Sequence, residues 1–431
     1  MANVILTTKF LTGVKNMGIK LSTPVEYNLV SLLLSLSRSL DFSNVGIMDH
    51  HKKVAFIALN LGRKAGISDQ QLMELFKAAI IHDIGAVNHR DKVVLQKFDV
   101  ESPWYHCVKG RNFVAGIPDL DSTQLSIYCH HDSWVGKNQS GLNGTDIPLN
   151  SRIIHLADRV DVLINHERYI LEQNSEILQR IGRLSGKLFD PELFDILMEL
   201  GKQESFWLDL VSPWIEECML ELIPENLVSV ERDNLMTVAR LFARVVDDRS
   251  SFTYRHSLYV SQVCRVLANK AGLSKDECYL LEIAGLLHDL GKMAVPEDII
   301  EKPGKLTAHE YDIIKQHSYY TYWLLNPVLP GQEVAAWAAY HHERLDAKGY
   351  PFKKTANELD LPTRIVAVAD VFTALREDRP YRPGLSYTEI KAAMDQEIVS
   401  GGLDKEVVAM LYDCQQELDE IWSNLSLLGV Q

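Results

Sequence analysis

The sequence predicts an all-α protein made of two tandem helical bundles joined by a helical linker. Apolar residues recur at spacings of three and four through most of the chain, as Val260, Val263 and Leu267 do within HSLYVSQVCRVLANKAG. This spacing is the period of one buried helix face. Long alternations of apolar and polar residues, which are typical of half-buried strands, are missing. Several segments also occur twice in the same order, which indicates a repeated helical unit.

The repeat is clearest around a shared His-Asp-x-Gly core. This core lies in IIHDIGAVNHR (residues 80–90) and again in LLHDLGKMAVP (residues 286–296). Upstream, HHKKVAFIALNLGRKAGIS from His50 aligns without gaps on HSLYVSQVCRVLANKAGLS from His256. Downstream, RIIHLADRVDVL aligns on RIVAVADVFTAL. We therefore expect each half of the chain to fold as a copy of one unit.

The boundary between the copies falls in GKQESFWLDLVSPWIEECMLELIPENLVSVERDN, residues 201–234. This segment is rich in tryptophan, leucine and isoleucine, whereas flexible tethers are rich in glycine, serine and charged residues. Pro213 and Pro224 would break it into short helices. The predicted division is residues 1–200, a helical linker over residues 201–235, and residues 236–431.

The composition limits the classes of function. The 431 residues carry a net charge of −14 without a long run of Lys and Arg, which argues against a protein that binds duplex nucleic acid through its phosphates. No apolar segment has the length that spans a bilayer, so membrane insertion is not expected. The six cysteines are scattered without a CxxC pair. Reduced thiols in a cytoplasmic protein fit this pattern best.

Histidines and acids near the predicted helix ends recur in register in the two halves. In the second half they are His256, His288, Asp289, His317, His341, His342 and Asp370, separated by gaps of 32, 28, 24 and 28 residues. In the first half they are His50, His82, Asp83, His106, His130, His131 and Asp158, separated by 32, 23, 24 and 27 residues. A single histidine of this kind is most often a hydrogen-bonded core or surface residue. A set of histidines and acids that recurs at matching spacings in both halves indicates that its members act together.

Imidazoles and carboxylates that converge from several helices are the ligands of a buried metal site. Without metal, five imidazoles and two carboxylates in one helical core would carry a heavy desolvation penalty. The chemistry that follows is a two-metal hydrolysis, in which Asp289 bridges two cations and histidines fill the outer positions. Such ions acidify a shared water and neutralise charge on a phosphodiester. These ligand types suit Fe, Mn, Zn, Co or Ni.

Together these residues resemble the HD-GYP family of cyclic-dinucleotide phosphodiesterases, a branch of the HD hydrolase superfamily. The matching text is HDLGKMAVPEDIIEKPGKLTAHE, HHERLDAKGYP and RIVAVADVFTALREDRPYRPGLS, within residues 236–415. The resemblance implies a carboxy-terminal HD-GYP catalytic domain in which all seven positions of the second set ligate metal, with Asp289 bridging. Two divalent transition-metal ions are expected, iron or manganese first, with zinc, nickel or cobalt as alternatives.

The resemblance also implies roles for residues that do not ligate metal. Lys292 follows the His-Asp pair and would contact the scissile phosphate or assist the leaving oxygen, next to the catalytic Asp289. Arg379 and Arg382, in RPYR, match basic positions that hold the substrate phosphates. Guanidinium groups suit this task because they bind phosphate oxygens in pairs.

Gly349, Tyr350 and Pro351 form the triplet for which the family is named. Glycine can adopt backbone dihedral angles that other residues rarely adopt, and proline restricts the dihedral angles of the turn. The loop is expected to shape the mouth of the substrate site, and in the family it can be a docking surface for diguanylate cyclase domains. The usual pattern is Asp-Gly-x-Gly-Tyr-Pro, whereas this chain has Ala347 at the first glycine. This is a mild departure that is compatible with activity.

A second departure concerns the number of metal ions. Family members with three metals carry a carboxylate one helical turn before the first histidine. That position is Phe252 in this chain, which predicts a two-metal site, although Asp247 and Asp248 lie a little further upstream.

The first half keeps a histidine or an aspartate at every ligand position, but it lacks the lysine, the Gly-Tyr-Pro triplet and the two arginines of the second half. Ala86 replaces Lys292, no Gly-Tyr-Pro follows His131, and the two arginine positions of RPYR become Glu167 and Ile170. An anionic diester would therefore lose electrostatic stabilisation there. We expect a degenerate HD domain with a vestigial metal site and a regulatory or structural role. There are two alternatives for this domain: it binds metal only to hold its helices together, or it acts on a different nucleotide.

The sequence thus predicts an enzyme that linearises a bacterial cyclic dinucleotide, either cyclic di-GMP or 3′,3′-cyclic GMP-AMP. One alternative is an HD phosphohydrolase acting on another nucleotide, against which the Gly-Tyr-Pro triplet and RPYR argue. The other is a catalytically silent cyclic-dinucleotide receptor, against which the complete ligand set and Lys292 argue. A homodimer is left open, since members of the family often pair.

Overall fold

The structure is a computed structural model that describes residues 27–42, 49–88, 95, 97–98, 103–224, 229–230, 232–249, 255–328, 333–378 and 383–427. Over these residues the regular secondary structure is helical, apart from an antiparallel pair of two-residue strands, β1 (Tyr27–Asn28) and β2 (Ser229–Val230), and an isolated bridge between Ser185 and Phe189. The predicted all-α fold class is confirmed. None of the described helices is long and apolar enough to cross a membrane.

The amino-terminal half is built from helices of very different lengths. They are α1 (Leu29–Phe42), α2 (His50–Lys64), α3 (Asp69–Ile80), α4 (Trp104–Val114), α5 (Gln124–Tyr128), α6 (Leu149–Val162), α7 (Ile170–Gly182), α8 (Pro191–Leu200), α9 (Glu204–Leu210) and α10 (Ile215–Leu220). Short 3-10 helices lie at Asp121–Thr123 and Gly144–Asp146.

The carboxy-terminal half is also built from helices of different lengths. They are α11 (Arg232–Asp247), α12 (His256–Lys270), α13 (Lys275–Leu287), α14 (Glu297–Ile300), α15 (Ala308–Leu325), α16 (Val334–Ala339), α17 (Leu361–Arg376), α18 (Tyr387–Val399), α19 (Lys405–Asp413) and α20 (Gln415–Leu427). The 3-10 helices lie at Leu290–Ala294 and Ala356–Glu358.

Equivalent sequence signals end and begin helices in the two halves. Gly66 follows α2 and Gly272 follows α12, with φ angles of 72° and 74°, a left-handed conformation that glycine adopts without steric cost. Ser68 and Ser274 then cap α3 and α13, and each forms a reciprocal capping box with the residue three positions later. The repeat seen in the sequence is therefore also a repeat of local structure.

The first helix of each half packs on the other half. α1 contacts α15 and the 3-10 helix Leu290–Ala294, while α11 contacts α4. At the end of α1, the Phe42 and Tyr320 rings lie with centroids 4.6 Å apart. After α11, Asp248 forms an ion pair with Lys109 on α4. These reciprocal contacts join the two bundles, and a continuous hydrophobic core runs through both.

The predicted linker begins with the short helices α9 and α10, which pack on α2. Phe206 stacks on Phe56 with ring centroids 5.8 Å apart, and Glu216 pairs with Arg38. Trp207 is fully buried. These contacts tie the segment to the amino-terminal half, and the domain limits at residues 200 and 235 stay a prediction.

Candidate active site

The His-Asp-x-Gly motif of the second half positions two side chains where α13 ends. His288 follows the last residue of α13, and Asp289 precedes the 3-10 helix Leu290–Ala294. At Gly291 a Cβ would lie 2.0 Å from the carbonyl oxygen of His317 on α15. Only glycine allows this approach, so the motif fixes the 3-10 helix against the helix that carries the next histidine.

Three of the predicted ligand histidines are oriented by one type of hydrogen bond. The Nδ1 atoms of His288, His317 and His341 lie 2.8, 2.6 and 2.7 Å from the carbonyl oxygen of the residue three positions earlier. A carbonyl only accepts, so each Nδ1–H donates and each Nε2 keeps its lone pair. The Nε2 of His288 is also buried and faces the carboxylate of Asp289. These atoms fit a metal ion.

Asp289 lies between two groups of histidines. Its Oδ2 is 3.1 Å from His288 Nε2 and 3.9 Å from His256 Nε2. Its Oδ1 is 3.6 Å from His317 Nε2 and 4.0 Å from His341 Nε2. A carboxylate that turns one oxygen toward each group has the geometry of a ligand bridging two ions.

Two sets of ligand atoms in the carboxy-terminal half are each compact enough for one ion. All ligand atoms within a set lie within 4.8 Å of one another, and the sets are His256, His288 and Asp370, and His317, His341 and His342. The side chains are buried except that of His342, which is partly exposed. With Asp289 between the sets, the structure brings all seven predicted positions of this half together.

For two of the ligands, Asp289 and His317, the electrostatics favour the protonation states that metal binding needs. Burial alone would raise the pKa of Asp289, but His288 and Lys292 outweigh burial and hold the pKa well below its ordinary value. Burial, reinforced by His342, lowers the pKa of His317 to about 3. The carboxylate is therefore charged and this imidazole neutral near pH 7, as metal ligands must be.

Glu377 is a residue of the site that the sequence analysis missed. It follows α17, and its Oε2 lies 3.0 Å from Nδ1 of His256. Burial would lower the pKa of His256, but Glu377 and Asp370 outweigh it and raise the pKa to about 10. A carboxylate on the far nitrogen of a metal-binding imidazole orients the ring and increases its basicity. In the sequence Glu377 is one glutamate among many acidic residues.

Lys292 lies beside the bridging carboxylate. Its Nζ is 2.5 Å from Asp289 Oδ2, and its side chain is partly exposed. Arg249, also missed in the sequence, is buried and donates to the carbonyl oxygens of Lys292 and Met293 at 2.9 and 2.6 Å. These bonds hold the 3-10 helix in place, so the lysine ammonium stays at the edge of the cluster.

The Gly-Tyr-Pro loop packs directly on the metal-ligand cluster. A Cβ on Gly349 would lie 2.4 Å from the Cα of Glu343, so glycine is required for close packing. The N–H of Tyr350 donates to the carbonyl oxygen of His342 at 3.2 Å, and the two rings lie with centroids 4.7 Å apart. The bond from Tyr350 to Pro351 is cis. The loop thus forms a wall beside the partly exposed ligand.

Two further features hold this loop. The buried Glu343, which the sequence analysis missed, accepts hydrogen bonds from the backbone N–H groups of residues 352–354 at 2.7, 3.1 and 3.0 Å. Ala347 has a φ of 60°, a left-handed conformation in which glycine is favoured. The family's usual glycine at this position therefore has a backbone reason, and Ala347 carries strain that glycine would not.

Three predicted positions, Arg379, Arg382 and Phe252, lie outside the described residues. Asp247 is described: its buried Oδ1 accepts a hydrogen bond from Ser257 Oγ at 3.1 Å, and burial raises its pKa well above the ordinary value. The carboxyl group of Asp247 therefore lies near His256, the first ligand histidine, but it belongs to neither set of ligand atoms.

The first half also brings its predicted positions together. Asp83, His106, His130 and His131 form one set, and His50, His82 and Asp158 form another, each with ligand atoms within 4.8 Å of one another. All of these side chains are buried. The predicted vestigial site therefore has the arrangement of a ligand cluster.

The cationic residues predicted for the carboxy-terminal site have no cationic equivalent at the aligned positions of the first half. Ala86 is fully buried, Glu167 is exposed, and Ile170 is buried. A different cation is present that the sequence analysis missed: the buried Arg159 donates from Nε and Nη2 to Asp158 Oδ2 at 3.0 and 2.6 Å. One candidate ligand of this half is thus already neutralised by the protein.

The fold and the site define a metal-dependent hydrolase built from two HD-type helical bundles. The family model described as HD domain matches residues 47–163, and a second HD domain model matches residues 240–407. The matches coincide with the two ligand clusters.

Relatives extend this similarity over nearly the whole chain. The 3′3′-cGAMP-specific phosphodiesterase 1 of Vibrio cholerae is 33% identical over 410 residues, which cover 92% of this chain and 94% of the relative. The response regulator RpfG of Xanthomonas campestris, a cyclic di-GMP phosphodiesterase, is 41% identical over 159 residues, covering 36% of this chain and 42% of that protein. The chain belongs to the HD-GYP family of cyclic-dinucleotide phosphodiesterases.

A solved structure shows the same architecture. The crystal structure of a cyclic GMP-AMP specific phosphodiesterase of Vibrio cholerae superposes with a TM-score of 0.66 at 25% identity, covering 91% of this chain and 98% of the other. Both tandem bundles are therefore part of the similarity.

Proposed function

We propose that this protein hydrolyses a bacterial cyclic dinucleotide to the linear dinucleotide, and that residues 236–431 form its catalytic domain. The observation that carries the proposal is the position of Asp289, with one oxygen toward each group of ligand histidines. 3′,3′-cyclic GMP-AMP is the first candidate substrate, because two relatives named for that specificity match more than nine-tenths of the chain. Cyclic di-GMP is the second, because relatives named for it match the chain over a shorter part.

The site is proposed to hold two divalent transition-metal ions. His256, His288 and Asp370 would hold one, and His317, His341 and His342 the other, with Asp289 shared. Mixed imidazole and carboxylate ligands suit iron or manganese, with zinc, nickel and cobalt as alternatives. When bound, such ions acidify a water and neutralise charge on the phosphodiester.

The side chains around the ions are proposed to bind and orient the substrate. Lys292 can turn its ammonium from Asp289 toward the scissile phosphate, where it would stabilise developing charge or protonate the leaving oxygen. Tyr350 and Gly349 would shape the mouth of the site beside His342. Arg379 and Arg382 are proposed to hold the phosphates as bidentate donors.

Three further proposals do not depend on the geometry of the site: the family resemblance supports the first and the third, and the scattered cysteines support the second. The Gly-Tyr-Pro loop is proposed to contact diguanylate cyclase domains, the protein to act in the cytoplasm, and two chains to form a homodimer.

Turnover of both cyclic dinucleotides tests the proposed function. The protein is purified anaerobically with iron or manganese, and linear product is followed by chromatography. We expect Asp289→Asn to abolish turnover, while Asp312→Asn, which changes an exposed aspartate on α15, keeps the wild-type rate. Binding without turnover under every metal would favour the receptor alternative. Turnover of mononucleotides alone would favour the other phosphohydrolase.

A further inference from the structure

The proposed function assigns no contact to the nucleobases of the substrate. The metal ligands, Lys292 and the two arginines of RPYR all act on phosphate groups. Each candidate substrate also carries two purine bases, whose flat faces are apolar. Proteins commonly bind unpaired bases by stacking them on aromatic side chains. A site for a base therefore requires an exposed aromatic ring close to the ligand cluster.

Among the described residues of the carboxy-terminal half, three large aromatic side chains are well exposed. Tyr311, Tyr319 and Trp323, all on α15, are exposed by 45%, 45% and 52%. Tyr311 contacts the Gly-Tyr-Pro loop, since its ring centroid lies 5.9 Å from that of Tyr350 at an interplanar angle of 80°. The rings of Tyr319 and Trp323 instead contact each other, at 6.1 Å. Tyr311 is thus the exposed ring that contacts the wall of the site.

Ring contacts connect Tyr311 to the ligand cluster. The ring of Tyr350 contacts Tyr311 and also lies with its centroid 4.7 Å from that of His342 and 6.4 Å from that of His317. His342 is the partly exposed ligand. Along the chain, Tyr311 lies less than two turns before His317 on the same helix. Tyr311 is therefore one ring removed from the ligand at which the cluster reaches solvent.

The ring of Tyr311 is restrained although much of it stays accessible. Lys315 Nζ lies over the ring, 4.6 Å from its centroid, and Tyr350 contacts it at a steep angle. A side chain that is already restrained loses little further freedom when a ligand stacks on it. Tyrosine also contributes a large contact area with few rotatable bonds. Both properties suit a surface that receives a flat ligand.

We propose that Tyr311 forms a stacking site for one purine base of the cyclic dinucleotide whose phosphate is bound at the ligand cluster. This inference rests on the proposed function and assigns a contact to a part of the substrate that the metal ligands do not touch. Stacking on an aromatic ring depends little on which base is stacked. The site therefore accepts guanine and adenine alike, and both candidate substrates use it.

The substrate affinity of Tyr311→Ala tests the stacking site. We expect KM to rise about tenfold, and by the same factor for both cyclic dinucleotides, because a stacking partner of the base is lost. The value of kcat should change little, since the ligand cluster is intact. Tyr311→Phe keeps the ring and should keep the wild-type KM. The matched control is Tyr319→Ala, which removes an equally exposed tyrosine from the same helix and should behave as wild type.

Inorganic phosphate distinguishes stacking from a general effect on the loop. Phosphate competes for the ligand cluster but carries no base, so its inhibition constant should be the same in wild type and Tyr311→Ala. An equal weakening of phosphate and dinucleotide binding would show that Tyr311 only supports the Gly-Tyr-Pro loop, which would overturn the stacking site. A wild-type KM in Tyr311→Ala would overturn it as well. So would a KM of Tyr311→Phe as high as that of Tyr311→Ala.

A failure of the proposed function would appear separately, as absent linear product in the wild type. The dissociation constant of the uncleaved dinucleotide, measured by equilibrium dialysis, then tests Tyr311 in place of KM. Weaker binding by Tyr311→Ala than by Tyr319→Ala would support the stacking site, and equal binding would overturn it. A wild type that neither cleaves nor binds either dinucleotide would overturn the proposed function and the stacking site together.

Discussion

Glu377→Gln is the substitution that tests how the catalytic metal cluster is tuned. In the wild type the carboxylate lies 3.0 Å from Nδ1 of His256, and both side chains are buried, with 7% and 4% of their surface exposed. Glutamine keeps the size and an acceptor oxygen but removes the charge. Because burial leaves little solvent screening, the lost charge should act at nearly full strength on the imidazole.

The magnitude follows from the role of the carboxylate. Loss of such a partner on a metal-binding histidine costs about 10- to 100-fold in metal affinity, which equals about 1.4 to 2.7 kcal/mol. Glu377 also helps to raise the pKa of His256 to about 10, so the substitution lessens the competition of protons with the metal, and the affinities are compared after extrapolation to the deprotonated imidazole. We therefore expect weaker metal binding and a proportionally lower kcat at limiting metal.

Competition with a chromophoric chelator measures the affinity directly. The matched control is Asp161→Asn, which removes the carboxylate that contacts Nδ1 of His50 in the other half, at 2.6 Å. Asp161→Asn should leave turnover at its wild-type level. If Glu377→Gln binds metal within a factor of about two of wild type, below the range expected for such a partner, the tuning role of Glu377 is refuted.

Three other perturbations have expected outcomes. Ala347→Gly should raise the free energy of unfolding by about 1 kcal/mol, because it relieves a φ of 60°; urea denaturation measures this, and an unchanged or lower stability would contradict it. Gly291→Ala should lower that free energy by about 3 kcal/mol, because the new Cβ would meet the His317 carbonyl oxygen at 2.0 Å; a wild-type melting temperature would argue against the close approach. Metal affinity should rise with pH, because His256 in the metal-free protein has a pKa of about 10 and must lose its proton to bind. The apparent dissociation constant should fall as the pH rises from about 6 to about 9, and a flat profile in the chelator assay would exclude the proton displacement.

The helical fold could be predicted because its signals are local. Spacings of three and four residues, capping serines and glycines after helix ends act within a few residues of where they stand. Ser68 and Ser274 illustrate this, since each forms a capping box with a residue three positions later. The strand pair β1 and β2 could not be predicted, because two residues are too few for any alternation to register.

The candidate ligands were accessible to sequence reasoning because they repeat in register. His256 and His50 occupy equivalent helix starts, and the structure places both within ligand clusters. Their supporting residues carry no such signal. Glu377 bonds to His256, Glu343 bonds to the backbone of a loop, and Arg249 bonds to the backbone of a 3-10 helix. These contacts form only when segments that are distant in the sequence pack together.

Arg159, in the first half, is another supporting residue that could not be predicted from the sequence. An arginine after an aspartate in a helix normally points to solvent, and only the fold shows that it is buried and returns to Asp158. The roles proposed for Arg379 and Arg382 stay predictions, because both lie outside the described residues.

Anomalous diffraction from crystals grown with manganese tests the catalytic metal centre most directly. Two peaks are expected in the carboxy-terminal half, one among His256, His288 and Asp370 and the other among the histidines at 317, 341 and 342, with Asp289 between them. A map without a peak at these side chains, in crystals of protein that turns over substrate, would contradict a metal centre bridged by Asp289.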